Sequence, residues 1–429
     1  MNIIIKHGHI CDPGQELDTV KDIYVEDGII SEISDCIERE ADRVIDAAGL
    51  LVMPGFIDMH VHLREPGFEY KETIKTGSQA AAAGGFTSIC PMPNTKPVID
   101  SPEMIKLVLE TAGKDAIVNI LPIGAMTIGQ EGKTVADIKG MASAGAIAVS
   151  EDGKSVMDSL TCLNAMKKAA EAGIPVFDHC EDKTLVNGGV INAGPKAEEL
   201  GLKGIMNEVE DTITARDIML AHAAGAHLHL CHVSTAGSTA IIGFAKQKGL
   251  DVTAEVTPHH FALCDADIPA DDADYKMNPP LRSAADCEAV TEGLKCGTID
   301  VIATDHAPHS AEEKQVSMSK APFGITGLET AYGLAVTELV EKGIMTHYEL
   351  ARRMSLRPAE ILGIEKGTLK PGYAADIVIT DPEKEWIVDR KSFLSKGKNT
   401  PFDGKKLKGR VVITIVGGRI VYENGQVIE

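Results

Sequence analysis

Between residues 54 and 363 one alternation restricts the fold more than any other feature. Eight short apolar runs recur there: PGFIDMHVHL, FTSICPMPN, AIVNILPIGA, GAIAVSED, IPVFDHCED, AHLHLCHVS, DVTAEVTPHH and TIDVIATDH. Most are separated by Ala-, Lys- and Glu-rich segments such as TIKTGSQAAAAGG and SLTCLNAMKKAAEAG, helix formers that stop at glycine. Eight strand-helix repeats predict an α/β chain folded as a (β/α)8 barrel of the TIM type, with its chemistry at the C-terminal ends of the strands. A doubly wound open sheet is the alternative.

The two ends have a different texture. Residues 1–53 read as strands and turns, with Asp27-Gly28 between two apolar runs as a hairpin signal. Residues 364–429 repeat that texture, with turns at Gly417-Gly418 and Asn424-Gly425. The two ends are expected to meet as one small β-sandwich domain beside the barrel of residues 54–363. Two separate β appendages are the other arrangement this texture allows.

Composition narrows the function classes. A formal net charge of −21 disfavours nucleic acid or an anionic membrane as partner, because those surfaces demand basic patches. Aromatic residues at 4% leave little for stacking on bases. No apolar run reaches the ~18 residues of a membrane span, and the start lacks the pattern of a signal peptide, so a cytoplasmic location is expected. Nine scattered cysteines without Cys-x-x-Cys read as buried or incidental thiols. A small-molecule substrate remains, and it can be anionic, since a few local cations outweigh a distant field screened within about 10 Å.

The polar residues at the strand ends carry the chemistry. Side chains alternate along a strand, so Asp58, His60, His62 and Arg64 would share one face for as long as the strand runs. By the same count Ala146, Ala148 and Ser150 lead to Asp152, and Val301 and Ala303 lead to Asp305. His179 closes IPVFDHCED. In AHLHLCHVS, His232 shares parity with Leu228 and Leu230 and lies nearest the exit, so it is the ligand candidate, with His229 left to support or packing. His259 and His260 are adjacent, point apart, and read as structural. A lone strand histidine is commonly structural, but His60, His62, Asp152, His179, His232 and Asp305 all fall at the same rim. Imidazole and carboxylate without thiolate suit an open catalytic site for zinc, with manganese or cobalt as substitutes.

This pattern resembles the amidohydrolase superfamily. Within it, DMHVHLREPG, MPNTKPV, HCED, HVST, KMNPPLR and ATDHAPH resemble the dihydroorotases of the bacterial, longer-chain type. The resemblance spans essentially the whole chain. It implies one or two zinc ions, Asp305 as the catalytic proton carrier, and reversible cyclisation of N-carbamoyl-L-aspartate to dihydroorotate in pyrimidine biosynthesis. It also implies that Arg64, Asn94 and His309 hold the substrate carboxylate beside His62, that Asn278 meets the ring amide, and that Phe323 and Gly324 touch the ring. Without the resemblance, Asn94 and Asn278 beside prolines read as turn residues. One departure is Asp152, where many relatives place a carboxylated lysine, and it leaves the metal count open. An allantoinase or hydantoinase is the nearest rival, and a non-catalytic scaffold homologue a more distant one. A homodimer and association with another pyrimidine-pathway enzyme also follow from resemblance alone. The polar stretch 307–324 is expected as a lid, because His309 lies in it, or as a solvated connection.

Overall fold

The computed structural model describes residues 1–428. All eight expected runs form strands at their centres: Phe56–Val61, Phe86–Pro91, a third split into Asn119–Ile120 and Ile123–Ala125, Ala148–Ser150, Val176–Asp178, Leu228–Leu230, Val252–Val256 and Val301–Ile302. Pro122 explains the split, since it offers no N–H to the ladder. Each strand pairs in parallel with the next. A bridge between Val61 and His306, with the His62 N–H donating to the His306 carbonyl at 2.8 Å, joins the last strand to the first and closes the barrel.

The helices between strands start and stop where the sequence signals them. Thr73, Ser101, Asp158 and Ser283 cap their helices by accepting from backbone N–H groups of the first turn. The helix Ser159–Ala172 stops at Gly173, whose φ of +71° suits glycine alone at no steric cost. These helices cover the outer face of the strands, where Val149, Val176, Leu228, Leu230, Val252, Ala254 and Val256 belong to one large apolar cluster. The inward face carries a second cluster, including Ile57, Met59, Cys90, Ile123, Ala148, Phe177, Val301 and Ala303. The barrel is therefore filled with side chains, and the six ligand-type residues expected from the sequence gather at its rim. Phe177 is completely buried at the centre of that filling, and Phe177→Ala would cost about 3–5 kcal/mol through transfer and cavity.

Both chain ends enter one nine-stranded sheet. Leu51–Pro54 runs antiparallel to the start of the strand Ile377–Ile387, which joins the N-terminal strands to the C-terminal ones. The turns fall at Asp27-Gly28, Gly417-Gly418 and Asn424-Gly425, each between paired strands. Ile3, Ile5, Ile10, Ile23, Val52, Ile377, Ile379 and Ile415 pack into a core of their own. Within the C-terminal share, residues 393–400 leave the sheet and lie against the barrel mouth, where Ser395 and Asn399 are buried.

Candidate active site and metal centre

At the C-terminal rim the six expected residues come together around Asp152. Its Oδ1 lies 3.4 Å from His60 Nε2, 3.6 Å from His179 Nδ1 and 3.7 Å from His232 Nε2, and its Oδ2 lies 3.5 Å from His62 Nε2. Asp305 Oδ1 is 3.0 Å from His62 Nε2 and 3.5 Å from His60 Nε2. His179 Nδ1 and His232 Nε2 are 2.8 Å apart. All six side chains are buried.

The surroundings decide which atoms face inward. His60 Nδ1 is 2.8 Å from Glu255 Oε1, and the other Glu255 oxygen is 3.0 Å from His229 Nε2. A histidine that donates its Nδ1–H to a carboxylate presents the Nε2 lone pair, the usual outer support of a metal ligand. His60 Nε2 is buried and has no hydrogen-bond partner. His62 Nδ1 meets Asn94 Oδ1 at 2.9 Å, which likewise turns its Nε2 toward the carboxylates. Around the unpartnered His60 Nε2, imidazole nitrogens and carboxylate oxygens thus face one another. Such a set fits a divalent cation, and His60, His62 and Asp305, or His60, Asp152 and His232, have ligand atoms close enough to share one. Burial pushes the Asp305 carboxyl up, but the imidazoles of His60, His62 and His232 outweigh it and hold the group well below the usual range. Burial opposes ionisation of Asp152 too, and His60 and its neighbours again prevail.

Above this rim is a cavity of about 150 Å³ lined by His62, Arg64, Asn94, Asp152, His179, Asn278, Asp305, Phe323 and Gly324 among others. Arg64 enters it with a φ of +62°, its Nε donating to the Pro308 carbonyl at 3.3 Å. Among the described residues no carboxylate is ion-paired with Arg64, so its charge is available to an anionic ligand. Asn94 Nδ2 donates to Asp152 Oδ2 at 3.2 Å, and the Asn278 amide donates to Glu181, which also lies 3.0 Å from His179 Nε2. His309 does not line the cavity. It sits behind Arg64, with Nε2 donating to the Phe323 carbonyl at 2.8 Å and Nδ1 accepting from Lys71 at 3.3 Å. Burial, aided by Arg64, Lys71 and Lys314, holds its imidazole far below the ordinary range, so it is neutral.

Three expectations change. The first strand ends at Val61, not beyond Arg64, and a register shift between Asp58 and Val61 breaks the strict alternation. Ile57 and Met59 consequently fill the barrel while His60 and His62 rise to the rim. Second, Leu228 and Leu230 face the helices, so parity alone would turn His232 outward. His232 reaches Asp152 because the strand stops at Leu230 and its own φ is +34°; Asp305 shows the same device at +47°. The left-handed residues Arg64, His232 and Asp305 all belong to this rim. Third, residues 307–324 are not a solvated connection throughout. Lys314 is buried and donates to the carbonyls of Ala273, Lys276 and Pro322 at 2.8, 3.2 and 3.0 Å, and Lys276 donates to those of Met318 and Ala321 at 2.5 and 2.6 Å.

Glu255 and Glu181 were not singled out from sequence. Glu255 shares parity with Thr253 on a strand whose other face is apolar, and that isolated acid was a usable signal. Glu181 had none beyond its place beside His179. Asp58 supports the rim from below, accepting from the His60 N–H at 3.0 Å and from Thr304 N and Oγ1 at 3.1 and 2.6 Å. His260 bonds Thr257 at 2.7 Å and the Pro279 carbonyl at 3.1 Å, a structural use, and His259 joins none of the close ligand groupings found among the described residues.

A parallel barrel carrying histidines and aspartates on its C-terminal rim is the architecture of an amidohydrolase. The amidohydrolase family profile matches residues 324–422, and the profile described as dihydro-orotase-like matches residues 49–238. The chain is 51% identical over 424 residues to the dihydroorotase of Bacillus cytotoxicus and 50% identical over 424 residues to that of Pelotomaculum thermopropionicum, covering 99% of both chains in each case. It belongs to the dihydroorotase family. In shape it is similar to the L-hydantoinase (dihydropyrimidinase) of Arthrobacter aurescens, with a TM-score of 0.90, 29% identity and coverage of 100% of this chain and 97% of that one. The D-hydantoinase (dihydropyrimidinase) of a Thermus species gives a TM-score of 0.85 at 26% identity, covering 99% and 96%.

Proposed function

We propose that the chain is a zinc-dependent dihydroorotase that interconverts N-carbamoyl-L-aspartate with dihydroorotate and water. The observation that carries this reading is the Asp152 carboxylate set among four imidazoles within 3.7 Å, with Asp305 against His62 and an unpaired Arg64 at the same cavity. Full-length identity of about half to dihydroorotases supports the choice of substrate over hydantoins, for which the likeness is mainly one of fold.

His60, His62, Asp152, His179, His232 and Asp305 would hold the metal, one or two ions, with Asp152 at the centre of the four imidazoles. Zinc there supplies Lewis acidity, polarising a carbonyl and lowering the pKa of water from 15.7 to about 7. Asp305, ionised at neutral pH, takes a proton from the attacking water and delivers it to the leaving ring nitrogen. In the cyclising direction it performs the two transfers in reverse, as microscopic reversibility requires. Arg64 holds the substrate carboxylate through charge-assisted hydrogen bonds, with Asn94 beside it and His309 backing Arg64 from behind. Asn278 contacts the ring amide, and the backbone at Phe323 and Gly324 borders the ring.

Division of the chain into a composite β unit, residues 1–53 with 364–429, and a barrel of 54–363 belongs to the same reading, supported by the separate apolar cores of sheet and barrel. Its remaining parts, a cytoplasmic homodimer able to associate with another pyrimidine-pathway enzyme, rest on the family resemblance. No helix among the described residues is long and apolar enough to cross a membrane.

The test is an assay of dihydroorotate hydrolysis with metal analysis. Chelation should abolish turnover and zinc should restore it, and metal analysis of the restored enzyme counts one or two ions per chain. Turnover of hydantoin or allantoin with none of dihydroorotate would overturn the reading.

A further inference from the structure

The substrate carboxylate pocket is held together by a segment from outside the barrel. Residues 393–400 follow the strand Ile377–Ile387, leave the sheet, and cross the barrel mouth. Glu329 anchors their start by accepting from the N–H groups of Leu394 and Ser395 at 2.9 and 3.1 Å. Glu72 takes up the Ser395 hydroxyl at 2.5 Å and the Lys396 N–H at 3.3 Å, and its Oε2 lies 3.3 Å from His306 Nε2. Gly397 then passes so close to Pro308 that a Cβ built on it would lie 2.5 Å from the Pro308 Cβ.

Asn399 ends this crossing, and it is only 4% exposed. Its Oδ1 accepts from the His309 N–H at 3.0 Å, and its Nδ2 donates to the carbonyls of Ala307 at 3.2 Å and Gly324 at 2.9 Å. Its backbone carbonyl accepts from Thr326 N at 2.8 Å and from Thr326 Oγ1 at 3.2 Å. One side chain therefore ties the chain just after Asp305 to the chain that borders the ring. Arg64 depends on the same wall, because its Nε is held by the Pro308 carbonyl.

We infer that Asn399 is a positioning residue for substrate: it sets the spacing between the 307–309 and 323–324 walls, and so places His309 and Arg64 for the substrate carboxylate. The inference rests on the reading of the site given above. Asn399 touches neither the metal-ligating atoms nor the cavity, so its effect falls on binding of the carboxylate more than on the chemical step. Three hydrogen bonds to one buried amide are costly to undo, because removing it orphans two carbonyls and one N–H.

Asn399→Ala should raise KM for dihydroorotate on the order of tenfold, about one net hydrogen bond, while kcat stays within about threefold and metal content is unchanged. In a His309→Ala background the same substitution should cost clearly less than in wild type, since part of its effect passes through the His309 side chain and the rest through Arg64. Gly397→Ala tests the wall by a second route: its Cβ would lie 2.5 Å from Pro308 Cβ and 2.9 Å from Asn399 Oδ1, so it crowds both while leaving the Asn399 amide in the chain, and it too should raise KM. Thermal unfolding and metal content, recorded for every variant, distinguish folding from binding. Unchanged KM in folded Asn399→Ala, a loss confined to kcat, or full additivity with His309→Ala would overturn the inference. If Asn399→Ala does not fold, an unchanged KM in Gly397→Ala overturns it. A wild type that fails to turn over dihydroorotate overturns the functional reading and this inference with it, whereas an active wild type with unaffected variants overturns the inference alone.

Discussion

Among the described residues, two places bring histidine, carboxylate and other ligand-type atoms within metal-binding distance, and they differ in their surroundings. One is the barrel rim around Asp152. The other is the trio His9, Cys11 and Asp18 on the paired N-terminal strands, whose ligand atoms are as closely gathered. In the trio, His9 Nε2 lies 2.7 Å from Asp18 Oδ1 and the Cys11 thiol donates to the same oxygen, so donors already meet acceptors. The His9 and Asp18 side chains are 44% and 57% exposed, and burial with Asp18 pushes the Cys11 thiol up to about 12, which keeps it protonated. At the rim, His60 is 0% exposed, Glu255 occupies its Nδ1, and its Nε2 has no partner. Spacing is common to both places. Burial of every member and a histidine tautomer fixed by a buried carboxylate belong only to the rim, and they leave the His60 Nε2 lone pair facing carboxylates without a partner.

The sharpest way to break this comparison is at Asp305. Asp305→Asn keeps an oxygen ligand but cannot accept and pass on a proton, so kcat should fall on the order of 10³-fold, within the range general acid-base groups contribute. Steady-state kinetics on metal-analysed protein checks it, and activity within about tenfold of wild type would remove Asp305 from the proton path. The next largest effect is expected at Glu255. Glu255→Gln leaves His60 in place but weakens the group that orients it, and metal affinity should drop about 10- to 100-fold in a competition with a coloured chelator. Unchanged affinity would mean that spacing alone makes the site.

Much of this was legible in the sequence because strand periodicity and rim chemistry agree. The barrel, its six rim residues and the meeting of the chain ends follow from alternation, glycine stops and turn dipeptides. What strict parity missed was local backbone geometry. His232 would face the helices if its strand continued, and a left-handed φ redirects it. The register shift at Asp58 to Val61 likewise lets adjacent residues serve barrel filling and metal rim. Glu255 was hidden by looking for ligands at strand exits, whereas supporting residues sit one layer deeper. Asn399 was illegible for another reason: it lies some ninety residues from His309 on the chain, and no pattern within its own segment announces where that segment will cross.

A second pair of buried carboxylates refines the same lesson. Burial pushes Glu255 up, yet His60 and His229 bring it down to about 2, while Glu329, facing mainly the backbone N–H groups of Leu394 and Ser395, is pushed up to about 7. A carboxyl raised above its unfolded value of 4.5 favours folding most below that value, and the benefit is lost as pH rises through about 7. Wild type should therefore lose a few degrees of Tm between pH 5 and 7.5 that Glu329→Gln does not lose, in unfolding scans on metal-loaded protein. Parallel curves would mean that the nearby Lys398 offsets the burial of Glu329 more fully than its place in the fold implies.

The smallest effect is expected at the trio, and it is the one that isolates spacing from surroundings. His9→Ala removes one ligand-type atom from a group as compact as the rim's. If compactness made a metal site, this variant would lose an ion. On the contrary, the pair it breaks is solvent-exposed, worth at most about 1 kcal/mol, and its partner Cys11 stays a thiol. Metal content, kcat and KM should match wild type, with Tm lower by no more than about 2 °C. Loss of a bound ion in His9→Ala would show that an exposed, self-satisfied cluster can compete for metal, and burial with a fixed tautomer would no longer distinguish the two places.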